Sequence, residues 1–331
     1  MTFNRAAQPA CEPFRLAAGP VFACSGQGAQ RSGMGADMMG IPEVSEVFEC
    51  ASDVFGVDVA TLCACGDAAA LNDTRNAQAA IATLSIAIGR ALQARGVVPS
   101  AFVGFSLGQV SALALSGMLT DERALSVASV RARLMGEAAD ANPGAMTALL
   151  KAEEDAVAQL VSRCAQEEVL VAANFNCPGQ IVISGSVGAI ERAEAAWAAS
   201  GGRFSRIPTS GAFHSPLMAD AVAPFSSYLE SVEFCEPSAP LICNVDASPL
   251  SASTVRDHLA LHLVSAVRFS QSIRLLSDSG AASYVEVGFG GVLAGLIRRI
   301  DKDAQRMCVQ DRASFDSCLA LLAQSASENR R

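Results

Sequence analysis

Ala101-Phe-Val-Gly-Phe-Ser-Leu-Gly-Gln109 runs directly into a long Ala/Leu-rich stretch. An apolar strand, a Gly-x-Ser-x-Gly turn and a helix follow one another there, the order of a nucleophile elbow. Gly104 and Gly108 carry no Cβ, so the chain can bend sharply and pack closely at the turn. Ser106 is then held on a corner at a helix N-terminus, whose N–H groups can face an oxyanion. A five-residue pattern recurs by chance in Gly-rich chains. The strand before it and the helix after it give this one weight.

Composition bounds the rest. The chain has 331 residues, 51% apolar and 17% charged, enough for one large domain with an insert or for two modest domains. No apolar run reaches the ~18–20 residues that span a bilayer, so no membrane partner is expected. Met1 to Pro20 holds two arginines and no continuous apolar stretch, and reads as no signal peptide. The 11 cysteines lack paired metal-type spacing, and Cys63 and Cys65 stand too close together for a usual zinc pair. They read as reduced, buried thiols of a cytoplasmic protein. A net charge of −9 argues against nucleic acid as a partner.

Apolar segments alternate with helical patterns, which predicts an α/β fold. Val21–Cys24 and Ala101–Phe105 read as strands, and Ala77–Arg95, Leu107–Leu119 and Asp121–Glu137 as helices. After Asn142-Pro-Gly144 the texture changes. Met146–Leu150, Glu153–Cys164, Val169–Asn174, Gln180–Ser184, Val187–Ala199 and Arg203–Ile207 read as β, α, β, β, α, β, the ferredoxin-like order. Later strands are expected at Pro240–Val245 and Ser283–Val287, helices at Gly290–Ile300 and Ala313–Gln324, and a frayed tail from Ser325 to Arg331. The expected architecture is a hydrolase-like large domain with a parallel sheet and nucleophile elbow, plus an inserted ferredoxin-like small domain. Its boundaries fall at 18–143, 144–210 (the insert) and 211–331.

Six ordered motifs carry a resemblance. They are Phe22-Ala-Cys-Ser-Gly-Gln-Gly-Ala-Gln30, Gly104-Phe-Ser-Leu-Gly-Gln109, Arg131-Ala-Arg-Leu-Met135, Asn174-Phe-Asn-Cys-Pro-Gly-Gln180, Gly211-Ala-Phe-His-Ser-Pro-Leu-Met218 and Glu286-Val-Gly-Phe-Gly-Gly291. Together they resemble the malonyl-CoA:acyl-carrier-protein transacylase family of fatty-acid and polyketide synthesis, over residues 20 to 312. Two positions depart from that family's usual pattern. Phe105 stands where it has His, and Gln109 where it has Glu. Neither is the nucleophile or the base, so tuning rather than loss of activity is expected.

The resemblance implies roles. Ser106 attacks the thioester of malonyl-CoA and His214 is its general base. The Gln27 and Leu107 N–H groups form an oxyanion hole, and the Arg131 guanidinium holds the malonyl carboxylate through a fork that Lys cannot copy. Phe213 narrows the pocket against an α-methyl branch, and Gln78 and Met135 line it. A backbone carbonyl of the segment Ser265-Ala-Val-Arg-Phe269, which precedes a helical run, orients His214 in place of a triad carboxylate, with Arg268 the chosen residue. No metal or bound cofactor is implied. CoA is substrate and product, and phosphopantetheine arrives on the acyl carrier protein. The chain reads as a monomer, with Arg298, Arg299 and Lys302 as either carrier-docking cations or a solvated helix end. A polyketide synthase or malonate decarboxylase acyltransferase, a serine hydrolase and a non-catalytic relative remain alternatives.

The bland readings stay beside these. Arg123 and Arg133 read as solvated, and Asn174 and Asn176 as turn-forming residues. His258 and His262 stand four apart, a spacing a metal could use. With no acidic or cysteine ligand in matching pattern, they read as a solvated or half-buried helix face and receive no role.

Overall fold

The computed structural model describes residues 11–209 and 211–328, the last four as helix backbone only. Ser210 at the expected insert boundary, residues 1–10 of the stretch read as no signal peptide, and residues 329–331 of the expected tail lie outside the described residues. Five parallel strands form one sheet: β1 (Val21–Cys24), β2 (Ala101–Gly104), β7 (Leu241–Ile242), β8 (Ser283–Val287) and β9 (Gln305–Val309), in the order β7-β2-β1-β8-β9. Every residue of β1 and β2 is buried, as a parallel sheet covered on both faces requires. A second, antiparallel sheet holds β3 (Gly144–Ala152), β4 (Leu170–Cys177), β5 (Gly179–Ser186) and β6 (Arg203–Ile207), in the order β4-β5-β3-β6. Helices Glu154–Ala165 and Val187–Ala199 pack on it around a separate core that includes Leu149, Leu160, Ile183 and Ile190.

Helix Thr74–Ala94 crosses the main core, apolar on nearly every face, which is the pattern of an internal helix. Asp73 caps its start by accepting from the Arg75 N–H. Thr120 does the same for helix Asp121–Ala141 through the Arg123 N–H. That helix carries Arg131, Met135 and Leu134 inward. Among the described residues, no helix is long and apolar enough to cross a membrane.

Several boundaries differ from the sequence expectation. The helix after the elbow, Gly108–Leu115, stops short of Leu119 because Gly117 takes a positive φ of 79°. The strand expected over Pro240–Val245 shrinks to two residues, because Cys243 to Ala247 closes a turn, with the Ala247 N–H on the Cys243 carbonyl at 3.1 Å. The final helix, Arg312–Glu328, continues through the first half of the expected frayed tail. Helices Pro42–Phe55 and Ala219–Glu230 and the edge strand β9 were not anticipated, and helix Phe269–Asp278 is the helical run expected after residues 265–268.

The elbow rests on close approach. A Cβ at Gly108 would collide with the Cys24 carbonyl, and one at Gly104 with the Gln109 N–H and the Gly108 carbonyl carbon. All of these are backbone atoms with no rotamer to move. Gly108→Ala is therefore expected to lower stability by about 3 kcal/mol or more, beyond ordinary overpacking, in urea unfolding. An unchanged midpoint would show that the two segments are free to separate.

Candidate active site

At the end of β2 the chain turns through Ser106, which holds a φ of 52°. Non-glycine residues rarely adopt that region, so the surroundings must impose it. Helix Gly108–Leu115 starts at once, with Gly108 N–H on the Phe105 carbonyl (2.9 Å) and Gln109 N–H on the Ser106 carbonyl (3.0 Å). Asn244, just beyond β7, clamps the turn from behind. Its Oδ1 accepts from the Ser106 N–H at 2.7 Å, and its Nδ2 donates to the Gly104 carbonyl at 2.7 Å. Its own N–H donates to Gln109 Oε1 at 2.7 Å. Gln109 is fully buried and supplies this acceptor as a neutral amide, so no charge is buried at the position where the resemblance led us to expect Glu.

Fold brings His214 to the nucleophile across 108 residues, with Nε2 2.7 Å from Ser106 Oγ. His214 also takes a positive φ, 58°. Its Nδ1 lies 3.0 Å from the His262 carbonyl and 3.1 Å from the Ser265 carbonyl. Two acceptors there place the proton on Nδ1 and leave the Nε2 lone pair for the serine hydroxyl. The Arg268 carbonyl is therefore not the orienting group. It accepts instead from Ser272, within helix Phe269–Asp278, and the Arg268 side chain donates to the Val245 carbonyl at 2.9 Å. The expected segment, residues 265–269, does supply one of the two acceptors, Ser265, but the choice of Arg268 within it fell three residues past Ser265 and six past His262, because the chain passes His214 before that helix begins. His262 is likewise no solvated residue. It is buried, and its ring lies 4.9 Å from that of His214.

Arg131 is 2% exposed, and among the described residues no carboxylate pairs with it. One guanidinium nitrogen donates to Gln78 Oε1 at 2.5 Å and another to Ser106 Oγ at 3.2 Å. Gln78 passes the chain on through Nε2 to Thr74 Oγ1 (3.2 Å), which donates to Gln27 Oε1 (3.1 Å). Gln78 thus stands behind Arg131 rather than on the cleft wall, and Thr74 is a participant that sequence reasoning missed. Burial pushes the Arg131 pKa down to about 10. Burial, and then the Arg131 charge, push His214 down to about 4.

These groups face a cleft of about 290 Å³ between the two sheets. Gln27, Ser106, Arg131, Met135, Phe213 and His214 line it from the large sheet's side, and Met146, Ala148, Val182 and Ile207 from the small sheet's side. No acceptor among the described residues takes the main-chain N–H of Gln27 or Leu107. Phe105 lines the cleft as well, with its ring 5.4 Å from that of Phe269. Asn174 and Asn176, read from sequence as turn residues, lie within β4 and face the cleft, as does Gln180. Arg133 is exposed as expected, paired with Glu137.

Residues 21–313 match the acyl transferase domain family. A malonyl CoA-acyl carrier protein transacylase of Bacillus subtilis is 33% identical over 91% of this chain and 96% of its own length. Among solved structures, a malonyl-CoA:acyl carrier protein transacylase of Xanthomonas oryzae superposes with a TM-score of 0.89 at 33% identity, covering 92% of this chain and 99% of that one. A malonyl-transacylase bound to its type II polyketide acyl carrier protein gives 0.87 at 34%, covering 92% and 99%. The chain belongs to the malonyl-CoA:acyl-carrier-protein transacylase family. It is an acyltransferase.

Two outcomes follow for this acyltransferase. Asn244→Ala frees the strained turn, and loss of two hydrogen bonds of roughly 1 kcal/mol each should cut kcat/KM at least about tenfold with circular dichroism unchanged. Full activity in that variant would mean the elbow holds itself. The pH dependence has a definite sign. A base lowered to about 4 stays neutral, and competent, down to that pH. The acid limb of kcat/KM, which reports the free enzyme, should therefore lie below pH 5 rather than near the ordinary value of about 6.5. The unfolded chain takes up that proton at about 6.5, so stability is lost as pH falls from there toward 4. A limb at 6.5 in folded protein would refute the buried neutral base.

Proposed function

We propose that the protein moves the malonyl group of malonyl-CoA to the phosphopantetheine thiol of an acyl carrier protein through a malonyl ester on Ser106. One observation carries the reading: a buried guanidinium, without an anion, touches the nucleophile. A buried charge is costly until paired, and a substrate carboxylate beside the reacting carbonyl supplies the partner. In the first half-reaction His214 takes the hydroxyl proton as Ser106 Oγ attacks the thioester carbonyl. The oxyanion is met by the N–H groups of Gln27 and Leu107, each donor of this kind being worth about 2.7–4 kcal/mol. His214 then gives the proton to the departing CoA thiolate. In the second half the carrier thiol enters, loses its proton to His214 and takes the malonyl group, and Ser106 regains its proton. These steps use no metal and no bound cofactor.

Met135 and Phe213 shape the malonyl pocket, and Gln78 sets the Arg131 fork. The carbonyls of His262 and Ser265 fix the imidazole tautomer but stabilise imidazolium less than a carboxylate would, which suits reversible transfer. The large parallel sheet, hydrolase-like in its elbow, and a ferredoxin-like insert over 144–210 frame the cleft, with the large domain at 18–143 and 211–331. The strand order β4-β5-β3-β6 supports the insert's label. Arg298 and Lys302, exposed at the end of helix Val292–Ile300, offer cations to an acidic carrier, whereas Arg299 is engaged with the Pro178 carbonyl at 2.7 Å. We read the protein as a cytoplasmic monomer of fatty-acid synthesis. The solved relative held by a polyketide carrier favours a second reading, service to a polyketide synthase.

Incubation with malonyl-CoA should add one malonyl group on Ser106 by intact mass, and none in Ser106→Ala. An adduct on cysteine would overturn the mechanism. Arg131→Ala should cut kcat/KM for malonyl-CoA at least about tenfold while sparing or raising that for acetyl-CoA, with Arg131→Lys recovering only part. Equal losses on both substrates would remove the specificity role. Hydrolysis outrunning transfer with carrier present would make it a hydrolase. Inert protein switched on by restoring His at 105 and Glu at 109 would make it a non-catalytic relative.

A further inference from the structure

The i, i+4 histidines do not converge on each other. His262 turns to His214, while His258 turns to the tight turn after β7 and meets there the two ligand types that the sequence pattern did not offer. His258 Nε2 lies 3.1 Å from Asp246 Oδ2, and Cys243 Sγ completes a group whose three ligand atoms all lie within 4.8 Å of one another. A tetrahedral shell with bonds of about 2.0–2.3 Å separates its ligands by roughly 3.3–3.7 Å, so small side-chain adjustments close this set.

We propose that Cys243, Asp246 and His258 form a binding site for a thiolate-preferring divalent cation of the zinc class, separate from the catalytic cleft. The groups behind the three ligands are those such a site needs. His258 Nδ1 lies 2.8 Å from the Thr254 carbonyl, which takes its N–H and turns the Nε2 lone pair toward the cluster. Asp246 Oδ1 accepts from the Ser248 N–H at 3.1 Å, leaving Oδ2 free to ligate. The Val245 N–H donates to Cys243 Sγ at 3.3 Å, a contact that supports thiolate. With that tautomer, Nε2 and the carboxylate are two acceptors face to face, and a proton or a cation must lie between them.

Charge balances: one thiolate and one carboxylate neutralise a dication, with imidazole neutral and a water in the fourth position. Binding breaks the S–H bond of Cys243 and releases that proton, plus the second imidazole proton wherever His258 is charged. The Cys243 thiol is fully buried, so an arriving cation must displace its proton. Affinity should therefore rise about tenfold per pH unit for each proton released. The Asp246 and His258 side chains, 20% and 23% exposed, give a route in from solvent. Asn244, the elbow clamp, lies between two of the ligands in sequence, so a bound cation also stiffens the turn that carries it.

The test is a titration of the intact protein with Co²⁺ as a spectroscopic probe, followed by displacement with Zn²⁺. One equivalent should bind with thiolate-to-cobalt absorption in the near ultraviolet. Cys243→Ser should abolish the band. Asp246→Asn and His258→Gln should each weaken binding at least about tenfold, and Cys65→Ser, which removes an exposed thiol elsewhere, should leave the band intact. No band, a band that survives Cys243→Ser, or one lost in Cys65→Ser would overturn the site. Should Cys243→Ser fail to fold, unchanged affinity in both of the partly exposed variants overturns it equally. None of these readouts depends on malonyl transfer.

Discussion

Helix Gly108–Leu115 runs so close to the end of β1 that a Cβ at residue 108 would enter the Cys24 carbonyl, and the turn that precedes it folds back so tightly that Gly104 also admits no side chain. That approach fixes where Ser106 stands and leaves it in a left-handed conformation that it would not choose alone. Cost is recovered from behind, where Asn244 takes the Ser106 N–H and gives a hydrogen bond to Gly104. Engaging that N–H also decides which donors are left. The Ser106 amide is engaged by Asn244, whereas no acceptor among the described residues takes the N–H of Gln27 or Leu107.

The electrostatics of the cleft have a similar economy. Arg131 and His214 are buried within reach of the same serine oxygen. The guanidinium disfavours a second positive charge nearby, which helps keep the imidazole neutral and basic at its Nε2. A triad carboxylate beside His214 would offset that effect and would also compete as a partner for Arg131. Orienting the ring with two neutral carbonyls avoids both. The cation keeps its appetite for an anion, and the histidine keeps its lone pair. A third charge was avoided at Gln109, where an amide oxygen holds the Asn244 N–H without ionising.

Much of this was legible in the chain because it is local. Strand, glycine turn and helix around Ser106 lie within fifteen residues, and the βαββαβ order of the antiparallel sheet's elements follows from alternating periods in consecutive segments. Ser106, Arg131 and His214 were named from motifs and do converge. What escaped is what only tertiary structure assembles. Asn244 follows a two-residue strand and bears no local signal of its task. Thr74 sits at a helix start where a cap is the ordinary reading. The orienting carbonyls of His262 and Ser265 are backbone atoms, which any residue supplies, so sequence had no means of preferring them to Arg268. Gln78 was placed near the right group but on the wrong side of it, since helical spacing gives a face and not a depth. His258 found its acid and its thiol twelve and fifteen residues upstream, across a turn that was read as a strand.

The small sheet matters for what it excludes. Met146, Ala148, Val182 and Ile207 present an apolar wall opposite Ser106, and an apolar wall lowers the local dielectric around whatever charge develops there. Every donor in the cleft gains from that, because the same hydrogen bond acts more strongly away from water. On the proposed mechanism water is also the competing acceptor for the acyl group on Ser106, so the wall bears on transfer against hydrolysis as much as on rate. Asn174, Asn176 and Gln180 interrupt the wall on the strands β4 and β5. A long polar arm threading the cleft can be met there by amide groups, whereas a lone water near Ser106 meets mostly carbon. The small sheet keeps a separate core on its helix-covered face, while Met146, Ala148 and Val182 on its other face join the main core, so the wall that shelters the site is fixed by the same packing that surrounds the strained elbow.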